Sequence, residues 1–146
     1  MLSLAIINGP NLNLLGTRET DIYGNESFDS FLIKLQKRFP GANLTLFQSN
    51  VEGELINYFH QCRGKVQGII FNGAGYTHTS IAIADAIAAV DIPTIEVHIS
   101  NVMAREEYRK TSFTVAKCIG SISGLGLEGY ALAIQYFLDK LTSVSS

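Results

Sequence analysis

Charge is scarce in this sequence. Asp, Glu, Lys and Arg together make up 16% of its 146 residues, and the net charge is −2. No run of basic residues occurs, which argues against nucleic acid as a partner. No apolar run approaches the ~20 residues of a membrane-spanning helix, and the N-terminus lacks the basic region of a signal peptide. We therefore expect a cytoplasmic protein that binds neither nucleic acid nor a membrane.

Cysteine and histidine are also scarce, with two and three residues respectively. Cys62 and Cys118 lie far apart without metal-type spacing, so we expect them to be reduced and structural. The histidines and the scattered carboxylates form no recognisable metal set, and the sequence contains neither a P-loop nor a nucleophile elbow. No metal site is predicted.

Apolar residues, in contrast, make up 47% of the chain. So much apolar content beside so little charge suggests more apolar surface than a lone monomer exposes. A homo-oligomer that buries this surface between subunits is the natural interpretation. The alternative is a monomer with an unusually large core.

Apolar runs alternate with helical patterns along the chain. Strands are predicted at Leu2–Ile7, Ala42–Gln48, Val66–Phe71, Thr94–His98 and Cys118–Ile122. Helices are predicted from Phe28 to Phe39 with Asn25 or Ser27 as the N-cap, around Leu55, Ile56 and Phe59 with an end near Gly64, from Thr79 to Val90, and from Leu127 to Leu141. This alternation predicts one α/β domain over residues 1–146, with a five-stranded parallel sheet and helices on both faces.

Ligands of such sheets bind beyond the carboxyl ends of the strands, near the point where the strand order reverses. The segment after the first strand reads N-G-P-N-L-N-L-L-G-T-R-E-T-D-I-Y-G over residues 8–24. A loop of this length in a compact domain is usually functional or disordered. It carries Arg18 and Tyr23, and a cation near a phenol favours the phenolate. The loop therefore suggests a reactive site.

The segment after the third strand contains N-G-A-G and then Thr77, His78, Thr79 and Ser80. The hydroxyl residues offer N-caps for the next helix, and a helix N-terminus suits an anion or hydroxyl groups. Taken alone, however, this segment fits a plain helix cap with His78 on the surface better than it fits a ligand site.

The fourth strand ends in I-E-V-H-I-S-N, which places Glu96 and His98 on one face. A carboxylate beside an imidazole can fix its tautomer and make it a proton donor near neutral pH. A buried ion pair on an internal strand needs a reason, which favours function here. Arg105 and Arg109 follow on a predicted helical turn, where Arg109 could bind a ligand or simply pair with neighbouring carboxylates.

Gly124 to Gly129 read G-L-G-L-E-G, which matches the GxGxxG pattern of dinucleotide sites. That pattern should open the first βαβ unit, with an acidic residue about 20 positions later on a second strand. Here the sequence ends first. The glycines are therefore predicted to allow a tight corner between the last strand and the last helix.

Four blocks of the sequence together resemble the type II 3-dehydroquinate dehydratase family. They are N-G-P-N-L-N-L-L-G-T-R with Tyr23-Gly24, then Y-T-H-T-S, then E-V-H-I-S-N-V with A-R-E-E-Y-R, and finally G-L-G-L-E-G-Y. The resemblance implies a flavodoxin-like fold, a homododecamer built as a tetramer of trimers, and no cofactor. It also implies trans elimination of water from 3-dehydroquinate through an enolate, giving 3-dehydroshikimate, in the shikimate pathway or in quinate catabolism.

The resemblance also implies a role for each site residue. Tyr23 matches the base, Arg18 the loop arginine that activates it, Asn11 the residue that stabilises the enolate through a water, and His98 the general acid that Glu96 orients. Asn72, His78 and Arg109 match contacts to substrate hydroxyls, Ile99 and Ser100 supply backbone N–H groups to the carboxylate, and Asp85 reaches a neighbouring subunit's site.

Several positions depart from the family pattern. N-G-A-G replaces N-P-G-A, Met103 stands where many members have His, Glu19-Thr20 replaces Glu-Pro, and K-T-S-F-T-V-A-K differs from the common stretch. Two other functions stay open on the sequence: a non-enzymatic flavodoxin-like module that binds a nucleotide or flavin, and a degenerate family member kept as a scaffold or ligand sensor.

Overall fold

Five parallel strands form one sheet in the computed structural model, which describes residues 1–16 and 26–142. The strands are β1 (Leu2–Asn8), β2 (Ala42–Gln48), β3 (Gly68–Asn72), β4 (Thr94–His98) and β5 (Gly120–Ser123). Their order across the sheet is β2-β1-β3-β4-β5, and every neighbouring pair is parallel. This is the strand order of flavodoxin-like folds, and it reverses between β1 and β3.

Four α-helices flank the sheet in the described residues: α1 (Phe28–Arg38), α2 (Glu52–Gln61), α3 (Ile81–Val90) and α4 (Glu128–Thr142). Successive residues of β1 point to opposite faces, so Leu4 and Ile6 pack with α1 and α4, whereas Ala5 and Ile7 pack with α2 and α3. The predicted α/β architecture with helices on both faces is confirmed. Within the described residues, none of the helices has the length and apolar character needed to cross a bilayer.

Serine side chains begin two of these helices. The Ser30 N–H donates to the Ser27 hydroxyl 3.2 Å away at the start of α1, as one of the two predicted caps requires; the other, Asn25, lies outside the described residues. The Ile83 N–H donates to the Ser80 hydroxyl at 2.9 Å, so α3 begins at Ile81 rather than at Thr79. The preceding residues, Ala74–His78, form a short 3₁₀ helix instead.

Two strands begin later than the apolar pattern predicts. The Val66 N–H bonds to the carbonyl of Cys62 and the Cys118 N–H to that of Val115, so both N–H groups close local turns and do not bond to a neighbouring strand. Their side chains nevertheless pack against the core, which explains why the apolar pattern starts before the strand does. The sheet edge at β5 is also more exposed than the three strands in its middle.

The carboxyl ends of β1 and β3 meet closely. Asn8 is aligned with Asn72 in the sheet, and the Gly9 N–H donates to the carbonyl of Asn72 at 2.7 Å. A Cβ atom at Gly9 would lie 2.5 Å from the carbonyl oxygen of Gly73. Only glycine therefore lets the two loops approach in this way, at the point where the strand order reverses.

Replacing Gly9 by alanine should force these loops apart. We expect Gly9→Ala to lower the free energy of unfolding by about 1–3 kcal/mol, the usual cost of overpacking. Gly53→Ala is the matched control, because a methyl group there would meet no atom within 4 Å and the exposed site lies in α2. The free energy of unfolding of this control should rise by about 0.5–1 kcal/mol, because alanine has a higher helix propensity than glycine. Urea denaturation measures both, and a Gly9→Ala protein as stable as the parent would contradict the assignment.

Candidate active site

A narrow polar cleft opens at the carboxyl ends of β1, β3 and β4, where the topology predicts a ligand site. Its lining consists of Leu12, Asn72, Ala74, His78, His98, Ile99, Ser100, Val102, Arg105 and Arg109. Six of the residues predicted from the sequence are among them. The cleft therefore brings together side chains from three segments that are far apart in the chain.

His98 and Glu96 form a buried pair at the end of β4. The His98 Nε2 atom lies 2.8 Å from Glu96 Oε2, and the two residues are 7% and 2% exposed. They share one face of the strand, as the sequence predicts. Because an ionised Glu96 accepts a hydrogen bond from Nε2–H, Nδ1 is the ring nitrogen left for a ligand in the cleft.

Two hydroxyl groups complete the surroundings of Glu96. The Ser112 hydroxyl donates to Glu96 Oε2 at 3.1 Å, and the Thr114 hydroxyl donates to Oε1. Thr114 has no exposed surface. Together with His98, these groups supply the donors that a buried carboxylate needs in place of water. The sequence analysis did not predict either residue. The available signal was that a buried Glu96 carboxylate needs more hydrogen-bond donors than His98 alone can supply.

The two thiols lie outside this chemistry. Cys62 and Cys118 are both free. Burial raises the pKa of the Cys62 thiol to about 11, and burial together with the Glu96 carboxylate raises that of Cys118 to about 12. Both thiols therefore remain protonated at neutral pH, in keeping with the structural role predicted for them.

His78 lies beside His98 in the cleft. The two imidazole rings are 6.2 Å apart between centroids and inclined by 23°. His78 Nδ1 lies 2.6 Å from the carbonyl oxygen of Thr111, which can only accept, so Nδ1 carries the proton and Nε2 is the other ring nitrogen available to a ligand. His78 is half-buried and lines the cleft. Its sequence segment, taken alone, favoured a plain helix cap with His78 on the surface.

Arg105 and Arg109 both line the cleft, but they do not share a helical turn as predicted. Two short 3₁₀ helices, Val102–Ala104 and Glu107–Arg109, replace it, and Arg105 lies between them in an extended conformation. The Glu106 carboxylate pairs with Arg109 Nε at 2.7 Å and lies 3.7 Å from Arg105 Nε. Arg105 also donates to the Ser100 hydroxyl at 3.4 Å, and it was not predicted as a site residue.

The glycine corner between β5 and α4 supports the end of β4. Gly124 and Gly126 have φ angles of 87° and 62°, in the left-handed region that favours glycine. Their N–H groups donate to the carbonyls of His98 and Ile99 at 3.1 and 3.0 Å. The predicted tight corner is confirmed, and it holds the backbone that carries His98, Ile99 and Ser100.

Asn11 and Asp85 do not belong to the cleft lining. Asn11 is exposed, with a φ of 70°, and its N–H donates to the Asn50 side chain at 2.9 Å. Asp85 is exposed on α3. Arg18 and Tyr23 lie outside the described residues. Within residues 1–16 and 26–142, no group of three or more His, Cys, Asp or Glu side chains could hold a metal ion.

Comparison with known proteins bears on the identity of the cleft. The sequence model of the family described as "Dehydroquinase class II" matches residues 2–138. A 3-dehydroquinate dehydratase of Fusobacterium nucleatum is 51% identical over 144 residues, covering 94% of this chain and 97% of that protein. A catabolic 3-dehydroquinase of Fusarium vanettenii is 50% identical over 141 residues, covering 95% and 98%.

A solved structure shows the same similarity in three dimensions. The type II dehydroquinase of Butyrivibrio crossotus superposes with a TM-score of 0.90 at 43% identity, covering 92% of this chain and 96% of that one. Sequence and structure thus agree over nearly the whole length. The chain belongs to the class II dehydroquinase family.

Proposed function

We propose that this chain dehydrates 3-dehydroquinate to 3-dehydroshikimate by a cofactor-free trans elimination through an enolate. The buried His98–Glu96 pair in an arginine-lined cleft carries this proposal, because it pairs an oriented proton donor with groups that attract a carboxylate. The relatives named above carry this activity in their names. The activity fits either aromatic biosynthesis or quinate breakdown.

The reaction needs a base and an acid. In the proposed first step, the phenolate of Tyr23 removes a proton from the carbon next to the ketone, and the electron pair moves onto the ketone oxygen as an enolate. Arg18 favours the phenolate, and Asn11 stabilises the enolate through a water. In the second step the enolate collapses, the carbon–hydroxyl bond breaks, and the His98 imidazolium gives its proton to the departing hydroxyl to form water.

Glu96 supports the acid in two ways. Its carboxylate is hydrogen-bonded to Nε2, which fixes the ring plane and directs Nδ1 to the leaving group. Its negative charge also stabilises the imidazolium before the proton is given up. Ser112 and Thr114 hold the carboxylate in place through their hydroxyl groups, so they act on His98 through Glu96.

The remaining cleft residues fit a hydroxylated carboxylate. We assign the backbone N–H groups of Ile99 and Ser100 to the substrate carboxylate, and Asn72, His78 and Arg109 to its hydroxyls. Arg105 adds a second positive charge beside Ser100. In the described residues no lysine lines the cleft, which favours an enolate over an imine intermediate.

We further propose a cytoplasmic homo-oligomer, with twelve subunits arranged as four trimers. Support comes from α3, whose exposed face consists of Ile81, Ala82, Asp85, Ala88 and Ala89. The side chain of Ile81 is 61% exposed, and among these described residues the Asp85 carboxylate is the single charged group on an otherwise apolar face. In the proposed trimer this face is covered by another subunit, and Asp85 reaches that subunit's cleft.

Turnover tests the reaction. Mixing the purified protein with 3-dehydroquinate should produce the ultraviolet absorbance of a conjugated enone, without added cofactor and equally after treatment with a chelator. Tyr23→Phe should abolish the signal because it removes the base. Tyr136→Phe, a change on the outer part of α4, should leave the rate unchanged. Full activity in Tyr23→Phe would refute the assignment of the base.

Removing the Thr114 hydroxyl tests the support of Glu96. Thr114→Val keeps the shape but leaves a buried carboxylate oxygen short of a donor, so the free energy of unfolding should fall by about 1.5–3 kcal/mol. The kcat should fall with it, since Glu96 is less well oriented. Thr111→Val, an exposed change in the same segment, should stay within about 0.5 kcal/mol. Equal stability of the two variants would argue against the described network.

Light scattering tests the assembly. The parent protein should have the mass of twelve subunits, and Ile81→Asp should reduce it because a charge enters the proposed interface. Aspartate suits the first turn of a helix, so α3 itself should not be weakened. Ile33→Asp, at a residue on α1 that is 59% exposed, is the control. A monomeric parent protein, or an assembly that only Ile33→Asp disrupts, would contradict the proposal.

A further inference from the structure

Tyr130 lies directly behind the cleft, on the last helix. It has no exposed surface and does not line the cleft. Its ring packs edge-on against Phe28, with centroids 4.8 Å apart. Its hydroxyl lies between two asparagine side chains at the ends of neighbouring strands: Nδ2 of Asn72 donates to it at 2.9 Å, and it donates to Oδ1 of Asn8 at 2.9 Å.

The direction of these bonds follows from the number of hydrogens. The phenol has one hydrogen and gives it to Asn8, so toward Asn72 it can only accept. At the other end of the Asn72 amide, Oδ1 accepts from the Ala74 N–H at 3.1 Å. Burial raises the pKa of Tyr130 far above its usual range, so the hydroxyl keeps its proton. The Asn72 amide is thus held with its nitrogen toward α4 and its oxygen toward Ala74.

We propose that Tyr130 is a positioning residue that fixes the orientation of the Asn72 amide in the cleft, with Asn8 setting the direction of its hydroxyl. This inference rests on the proposed function, in which Asn72 contacts a substrate hydroxyl. One N–H of Asn72 is used by Tyr130, which leaves the second N–H to donate to the substrate. An amide free to flip would present an acceptor instead for part of the time, and binding would weaken.

The turn after Asn72 takes part in the same arrangement. Ala74 has a φ of 50°, an unusual conformation for a residue with a side chain, and it directs its N–H back to the Asn72 oxygen. The backbone of Asn72 is also fixed, because its carbonyl accepts from the Gly9 N–H at 2.7 Å. Loop and helix therefore hold opposite ends of one amide, and only the helix end depends on a side-chain hydroxyl.

A double-mutant cycle tests this role, with 3-dehydroquinate as substrate. Tyr130→Phe keeps the ring and removes only the hydroxyl. It should lower kcat/KM about 5- to 10-fold, mainly through KM, as expected for the loss of one neutral hydrogen bond. In an Asn72→Ala background the same change should alter kcat/KM less than about twofold, because its target is gone. Tyr136→Phe should have no effect in either background.

The outcomes separate the possible explanations. If the two losses multiply, or if Tyr130→Phe alters only the urea midpoint, Tyr130 has a structural role and the inference is wrong. If Tyr130→Phe does not fold, Asn8→Ala replaces it in the cycle. That change frees the hydroxyl to turn toward Asn72, so KM should again rise in the parent and not in Asn72→Ala, and equal effects in both would overturn the inference. A parent protein without turnover would instead refute the proposed function.

Discussion

A carboxylate buried on an internal strand is the constraint on which the site depends. Glu96 is 2% exposed between β3 and β5, and the cost of removing its charge from water must be offset by donors from the protein. One donor is His98, two residues along the same strand. The others come from Ser112 and Thr114, which requires the chain to fold back over the end of β4. This return path carries Arg105 and Arg109 over the cleft, so the support of one acid group also shapes the pocket.

Much of this could be predicted from the sequence. The alternation of apolar runs with helical patterns predicted the sheet and the placement of helices. The predicted end of β4 was also correct, because the polar residues Glu96 and His98 indicate where this apolar strand ends. The beginnings of β3 and β5 were wrong, since Val66 and Cys118 pack their side chains in the core while their N–H groups bond within turns. Periodicity detects burial of side chains and does not detect where the backbone leaves a helical turn.

The site was predicted less completely than the fold. Asn72, His78, His98 and Arg109 are together in the cleft, but Arg105, Ser112 and Thr114 were missed. The hydroxyls of Ser112 and Thr114 lie 16 and 18 residues from the carboxylate that they support. The chain between them is irregular, so no repeating hydrophobic pattern could predict this contact. The G-L-G-L-E-G segment is the opposite case, because its match to a ligand-binding motif has a structural explanation. Its glycines bond to the carbonyls after β4, which explains them without a nucleotide, so the alternative of a flavin- or nucleotide-binding module is not favoured.

The hydrogen bond between Tyr130 and Asn8 joins residues 122 positions apart. Tyr130 on α4 thus bonds to the end of β1 through Asn8 and to the end of β3 through Asn72. The loops that follow these two strands therefore depend on α4 for this contact. During synthesis on the ribosome, β1 emerges long before α4. Because α4 packs against Leu4 and Ile6 on one face of the sheet, neither that core nor the cleft is complete until α4 is present. Competence for chemistry should therefore arrive late and abruptly, at the moment when the C-terminal helix docks.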